Sequence, residues 1–190
     1  MNIVLIGYRA SGKTTVGSLM ARYLDWQQAD TDRIIRRLCG MPIESFVAKK
    51  GWKGFRAIER NVLLSLAGGD SMVISTGGGA ILHKEPFEML REKSWVLWLD
   101  AEPETIRERM KAGNDIRKRP PLKGMDPLSE IEAVLSERKQ VYRDLSHHTI
   151  RTDVKKPMEI AFSALMRFLA CHGYQSPGSR EGKSICLETP

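Results

Sequence analysis

The chain has 190 residues, 42% hydrophobic and 28% charged, enough to bury one full core and unlike the composition of a disordered or low-complexity chain. Its formal net charge of +7 points to anionic ligands, yet no basic run is interleaved with aromatic residues, so nucleic acid is not an expected partner. Cys39, Cys171 and Cys186 are odd in number and widely spaced, which excludes a disulfide framework or a cysteine zinc site; with no early apolar run long enough to span a bilayer, a cytoplasmic protein without membrane association is expected.

Ile3-Val4-Leu5-Ile6 reads as a buried strand. It runs into Gly7-Tyr8-Arg9-Ala10-Ser11-Gly12-Lys13-Thr14, which fits G-x-x-x-x-G-K-[ST] and is followed by Val16, Leu19, Met20, Tyr23 and Leu24 at helical spacing. In that strand-loop-helix order, Gly7 and Gly12 permit a turn whose backbone N–H groups point inward at phosphates, and the helix start presents its positive dipole end to the same anion. The candidate nucleotide-binding set is therefore Gly7, Ala10, Ser11, Gly12, Lys13, Thr14 and Thr15. Lys13 reaches the β- and γ-phosphates, and Thr14 supplies a hydroxyl for Mg²⁺.

A short second strand is expected to end at Asp30, with a helix from about Asp32. Two carboxylates then stand at the carboxyl end of a strand, where open α/β sheets bind ligands, although Thr31 or Asp32 also reads as a helix cap. Pro42 opens a short helix that closes at Lys49-Lys50-Gly51. A longer helix follows with Phe55, Ile58, Val62, Leu63 and Leu66 on one face, ending at Gly68-Gly69; on it Arg56 and Glu59 are three apart and can pair, in a site or on the surface. Met72 to Ser75 is the next strand, and Thr76-Gly77-Gly78-Gly79 after it lets backbone approach a ligand closely.

Val96 to Leu99 is a fourth strand, and Pro103 starts a helix to about Ala112. Gly113 to Gly124 is polar, glycine-bounded and rich in Arg and Lys, the composition of a lid that closes over phosphates. A helix from Pro127 carries Leu128, Ile131, Val134, Leu135 and Tyr142, with Arg138 in its second half. His148 to Arg151 reads as a fifth strand and Pro157 to Leu169 as the last helix; beyond Gly173 the composition is that of a frayed tail. The sum describes an α/β phosphoryl-transfer enzyme of the P-loop class. No guanine-reading Asn-Lys-x-Asp sequence is present, which argues against a nucleotide switch, while small-molecule kinases acting on gluconate or nucleoside monophosphates remain within the class.

The phosphate loop, Asp30-Thr31-Asp32, Gly51-Trp52-x-x-Phe55-Arg56-x-x-Glu59, Gly77-Gly78-Gly79, Arg119-Pro120-Pro121-Leu122 and Glu137-Arg138-x-x-x-Tyr142 together resemble the shikimate kinase family from Met1 to about Leu169. The resemblance implies a three-layer α/β/α P-loop kinase fold around a five-stranded parallel sheet, in one domain spanning 1–170 with a lid at about 113–125 and a disordered tail over 171–190. It implies ATP and Mg²⁺ as cofactors and shikimate as the substrate, phosphorylated at its 3-hydroxyl. Asp32, Arg56, Gly77, Gly78, Gly79 and Arg138 would hold shikimate, the arginines on its carboxylate and Asp32 on its hydroxyls. Lys13 and Arg119, taken ahead of Arg117, would stabilise the moving phosphoryl group, and Asp32 would accept the proton. Thr14 and Asp30 would hold Mg²⁺, Arg109 and Pro157 would flank the adenine, and Glu59 would orient Arg56. A monomer is expected, since no apolar stripe is foreseen beyond those the sheet and helices bury.

Overall fold

The computed structural model describes residues 1–113 and 128–173. In chain order the elements are β1 (Asn2–Ile6), α1 (Lys13–Leu24), β2 (Gln27–Asp30), α2 (Thr31–Cys39), α3 (Ile43–Ala67), β3 (Met72–Ser75), a 3₁₀ turn (Ala80–Leu82), α4 (Lys84–Arg91), β4 (Ser94–Asp100), α5 (Pro103–Ala112), α6 (Ile131–Leu145), β5 (His148–Arg151) and α7 (Pro157–His172). The strands form one sheet in the order β2-β3-β1-β4-β5, and every neighbouring pair is parallel.

Both faces of the sheet are covered, which is why β1 and β4 are almost continuously apolar rather than alternating. Ile3 and Leu5 point to one side with α1 and α7, through Val16, Met20, Ile160 and Leu165. Val4 and Ile6 point to the other, where Ile35, Phe55, Leu63, Phe87 and Tyr142 from α2, α3, α4 and α6 complete the larger core. A third, smaller cluster joins Tyr8, at the start of the phosphate loop, to Ile106 and Met110 of α5 and Ile131 and Val134 of α6.

Register brings the carboxyl ends of β1, β2 and β3 level, with Leu5 opposite Ser75 and Asp30 opposite Ser75. The segments that leave those ends are then tied to each other. Thr76 donates from its backbone N–H (3.1 Å) and its hydroxyl (2.9 Å) to the Leu5 carbonyl. The Gly77 N–H donates to Thr31 Oγ1 (2.8 Å), and the Ser75 hydroxyl to the Lys13 carbonyl (3.0 Å).

The fold expectations hold in outline, with three differences. α4 has no counterpart in the sequence reading, because eight residues with Pro86 in the first turn give no clear helical period, yet Phe87 and Leu90 are buried. Helix α6 begins at Ile131 rather than at Pro127, with Leu128 to Glu130 forming a turn. The premise that no apolar stripe is left over also fails: Met158, Phe162 and Met166 stand exposed along α7, beside Tyr23 of α1. The break expected at Gly51 is present inside α3, where its φ is 68°.

The turn out of β1 depends on Gly7. Its φ is 140°, and a Cβ there would lie 2.5 Å from the Leu99 carbonyl oxygen and 2.9 Å from Ser11 Oγ. Gly7→Ala is therefore expected to lower unfolding stability by about 2 kcal/mol or more, since backbone of β4 would have to shift; urea denaturation of the two proteins measures it.

Candidate active site

Lys13 is buried at the start of α1, and a buried ammonium has to be surrounded by acceptors. Its Nζ donates to the carbonyls of Gly7 (2.8 Å) and Tyr8 (2.6 Å) and to Ser11 Oγ (3.3 Å). The lysine is thus folded across the loop it belongs to. Ala10 holds a left-handed backbone conformation at φ 60° and Gly12 one at φ 97°, so the loop curls before the helix begins. The first turn of α1 contains no acidic residue and no side-chain cap, which leaves its N–H groups and dipole available to an anion.

Beside this loop, Asp30 closes β2 and caps α2, its Oδ1 accepting from the Arg33 N–H (2.9 Å) and its Oδ2 from the Thr14 hydroxyl (2.7 Å). The cap that sequence offered to Thr31 or Asp32 is therefore made by Asp30. This frees Thr31 to bind Gly77. Thr14 and Asp30 form a hard-oxygen pair next to the phosphate loop, the donor chemistry that suits Mg²⁺ when phosphates and water complete its shell.

Two clefts open at this end of the sheet. The smaller is lined by Asp32, Arg56, Glu59, Gly77, Gly78, Gly79 and Arg138, together with Tyr8, Arg9, Ile43, Trp52 and Phe55. The larger is lined by residues 9–16, Asp30, Asp32, Thr76, Arg109, Lys155, Pro157 and Ile160. Asp32 and Arg9 belong to both walls. Of the candidate nucleotide residues, Ala10, Ser11, Gly12, Lys13, Thr14, Thr15, Arg109 and Pro157 border the larger cleft, while Gly7 is outside its lining and offers its carbonyl to Lys13. Arg109 is held by Thr152, through its hydroxyl (3.0 Å) and carbonyl (2.5 Å).

In the smaller cleft Arg56 pairs with Glu59, which is only 1% exposed, and its guanidinium lies over the rings of Trp52 at 5.2 Å and Phe55 at 5.4 Å. A side chain at Gly79 would collide with that guanidinium. Arg138 donates to the Gly78 carbonyl at 2.9 Å, and the Tyr142 hydroxyl does so at 2.7 Å. Burial pushes the Tyr142 phenol up to about 12, so it remains a donor through the neutral range. The cleft accordingly presents the guanidinium groups of Arg9, Arg56 and Arg138 and the acids Asp32 and Glu59 around bare glycine backbone, a surface for a small anionic ligand that also carries hydroxyls.

Sequence reasoning missed several residues here. Arg9 forms a buried ion pair with Glu130 (3.4 Å), with side chains 7% and 0% exposed. Position three of the phosphate loop is free in the motif, and Glu130 lies far along the chain, so neither residue carries a local signal. Tyr8 and His83 escaped for the same reason. Arg117, Lys118 and Arg119, with most of the expected lid at 113–125, lie outside the described residues, as does most of the expected tail at 171–190.

A family model described as shikimate kinase matches residues 9–169. A shikimate kinase of Symbiobacterium thermophilum is 42% identical over 160 residues, which span 84% of this chain and 91% of the relative. One of Oleidesulfovibrio alaskensis is 39% identical over 171 residues, spanning 90% and 98%. Among solved structures, shikimate kinase from Acinetobacter baumannii in complex with shikimate aligns with a TM-score of 0.84 at 32% identity, covering 91% of this chain and 95% of that one.

The Tyr8 hydroxyl is buried at the cleft with no hydrogen-bond partner among the described residues, and burial raises its pKa. An unsatisfied buried hydroxyl costs roughly 1 kcal/mol or more. Tyr8→Phe is expected to raise the melting temperature of the unliganded protein, which differential scanning calorimetry reads directly.

Proposed function

The chain belongs to the shikimate kinase family, and from that premise we propose that the larger cleft takes ATP and the smaller one shikimate, with phosphoryl transfer across the wall they share. The activity is that of a shikimate kinase, in the pathway to the aromatic amino acids, with ATP as phosphoryl donor. The observation that carries the division of labour is Asp32, whose side chain borders both clefts. A carboxylate at that junction is within reach of an acceptor hydroxyl from one side and faces the phosphate loop on the other.

Shikimate would lie with its carboxylate toward Arg56 and Arg138, since planar guanidinium groups suit paired carboxylate oxygens. Gly77, Gly78 and Gly79 would let the ring approach the backbone. That leaves the hydroxyls toward Asp32, which would accept the proton of the 3-hydroxyl as its oxygen bonds to the γ-phosphorus and ADP departs. Lys13, now resting on the carbonyls of its own loop, would turn its N–H groups to the phosphate oxygens. Arg119, assigned from its place before Pro120 alone, would add a second cation there. Mg²⁺ would neutralise phosphate charge when bound, and Thr14 and Asp30 are the oxygens that would hold it; Arg109 and Pro157 would border the adenine.

In this reaction class a protein contributes mainly position and charge. A coupled assay with ATP and Mg²⁺ is expected to show ADP release that depends on shikimate and not on gluconate. Release independent of any acceptor would replace the reading with a nucleotide hydrolase. Asp32→Asn is expected to lower kcat by about 10²-fold or more with little change in KM for ATP, and near-parental turnover would remove Asp32 from the proton-accepting role.

A further inference from the structure

Glu59 sits one helical turn after Arg56 on α3, and its carboxylate is removed from water. A buried carboxylate keeps its charge only where an opposite charge and hydrogen-bond donors meet it. Glu59 Oε2 has two. One is Nη1 of Arg56, and the other is His83 Nε2 at 2.9 Å, from the residue that ends the 3₁₀ turn after the glycine segment. Glu59 Oε1 faces Gly77, where a Cβ would lie 2.9 Å from it and 2.8 Å from Asp32 Oδ1.

An ionised carboxylate oxygen accepts and cannot donate, so His83 carries its hydrogen on Nε2 and donates a hydrogen bond to Glu59 Oε2. The acid is therefore shared between a substrate-side arginine and a histidine behind it. His83 is largely buried and outside the lining of both clefts, so it acts through Glu59. The next arginine on the helix, Arg60, is engaged with Glu85 at 2.8 Å.

We propose that His83 is a positioning residue for the carboxylate end of the substrate, resting on the reading that Arg56 grips that carboxylate. Trp52, Phe55 and Gly79 confine the guanidinium, and the Glu59 contact orients its N–H fork. While His83 meets part of the demand of Oε2, Arg56 keeps N–H groups for the cleft. Without His83 the buried carboxylate draws a further N–H from Arg56 and turns the fork inward, away from the ligand.

The test is steady-state kinetics of His83→Leu, His83→Asn and His83→Gln on the full chain, with Arg56→Lys alongside and melting temperatures to establish folding. Leu and Asn are expected to raise KM for shikimate on the order of fivefold, the worth of one hydrogen bond. Turnover and KM for ATP should stay within about twofold, the pattern of lost ground-state binding. Gln restores KM, because its amide nitrogen reaches the place of Nε2 whereas that of Asn does not. The Gln and Asn pair carries the test if the Leu variant does not fold. Unchanged KM in all three, or KM for ATP rising in step, overturns the role of His83. If Arg56→Lys leaves KM for shikimate unchanged, the assignment of Arg56 falls and this proposal with it; if Arg56→Lys raises KM and the His83 variants do not, only the proposal falls.

Discussion

The hydrogen bonds that tie the ends of β1, β2 and β3 together are the constraint on which the rest of the site depends. Thr76 binds the Leu5 carbonyl near the end of β1, and Gly77 binds Thr31 at the start of α2. Ser75 binds the carbonyl of Lys13. Three segments distant in sequence are thereby fixed edge to edge, and each delivers one chemical component: a phosphate loop, a pair of acids and a run of bare backbone. A parallel sheet sends all its strands out at one end, so these components emerge on the same face.

Charge burial is the second common thread. Lys13, Arg9, Glu59 and Glu130 are all buried, and an isolated buried charge costs far more than any of the folded-state contacts returns. Each is met by carbonyls or by an opposite charge. The consequence is rigidity where the ligands are expected, because moving any of these side chains strips a partner from a group that cannot reach water. The Arg9–Glu130 pair extends that rigidity from the phosphate loop to the residue directly before α6, the helix that carries Arg138 and Tyr142. Binding groups on separate elements are in this way set against one another before a substrate arrives.

β1, β3 and β4 were legible because each is a short, largely apolar run in a sheet covered on both faces, whereas the edge strands β2 and β5 are mostly polar and were read from their place between helical segments. The phosphate loop was legible because its chemistry needs fixed residue types at fixed spacing. α4 was not, since two turns interrupted by Pro86 carry no period and its burial is set by contact with α3. Asp30 was readable as an acid at a strand end, but its side chain divides between a helix cap and the Thr14 hydroxyl, and only the geometry of the turn apportions it. The exposed apolar residues of α7 follow the same rule, because a helix shows how wide its apolar face is and not how much of it a neighbour covers.

The sequence by itself determined the fold class, the family and the residue types of each candidate group, because periodicity, turn chemistry and motif spacing are local properties of the chain. Tertiary structure decided which of those groups share a wall. The meeting of Asp32 with both clefts, of Arg9 with Glu130 and of His83 with Glu59 joins residues from different elements. Such pairings depend on the register and stacking of the sheet and its helices, and side-chain partners set by packing leave no spacing to read.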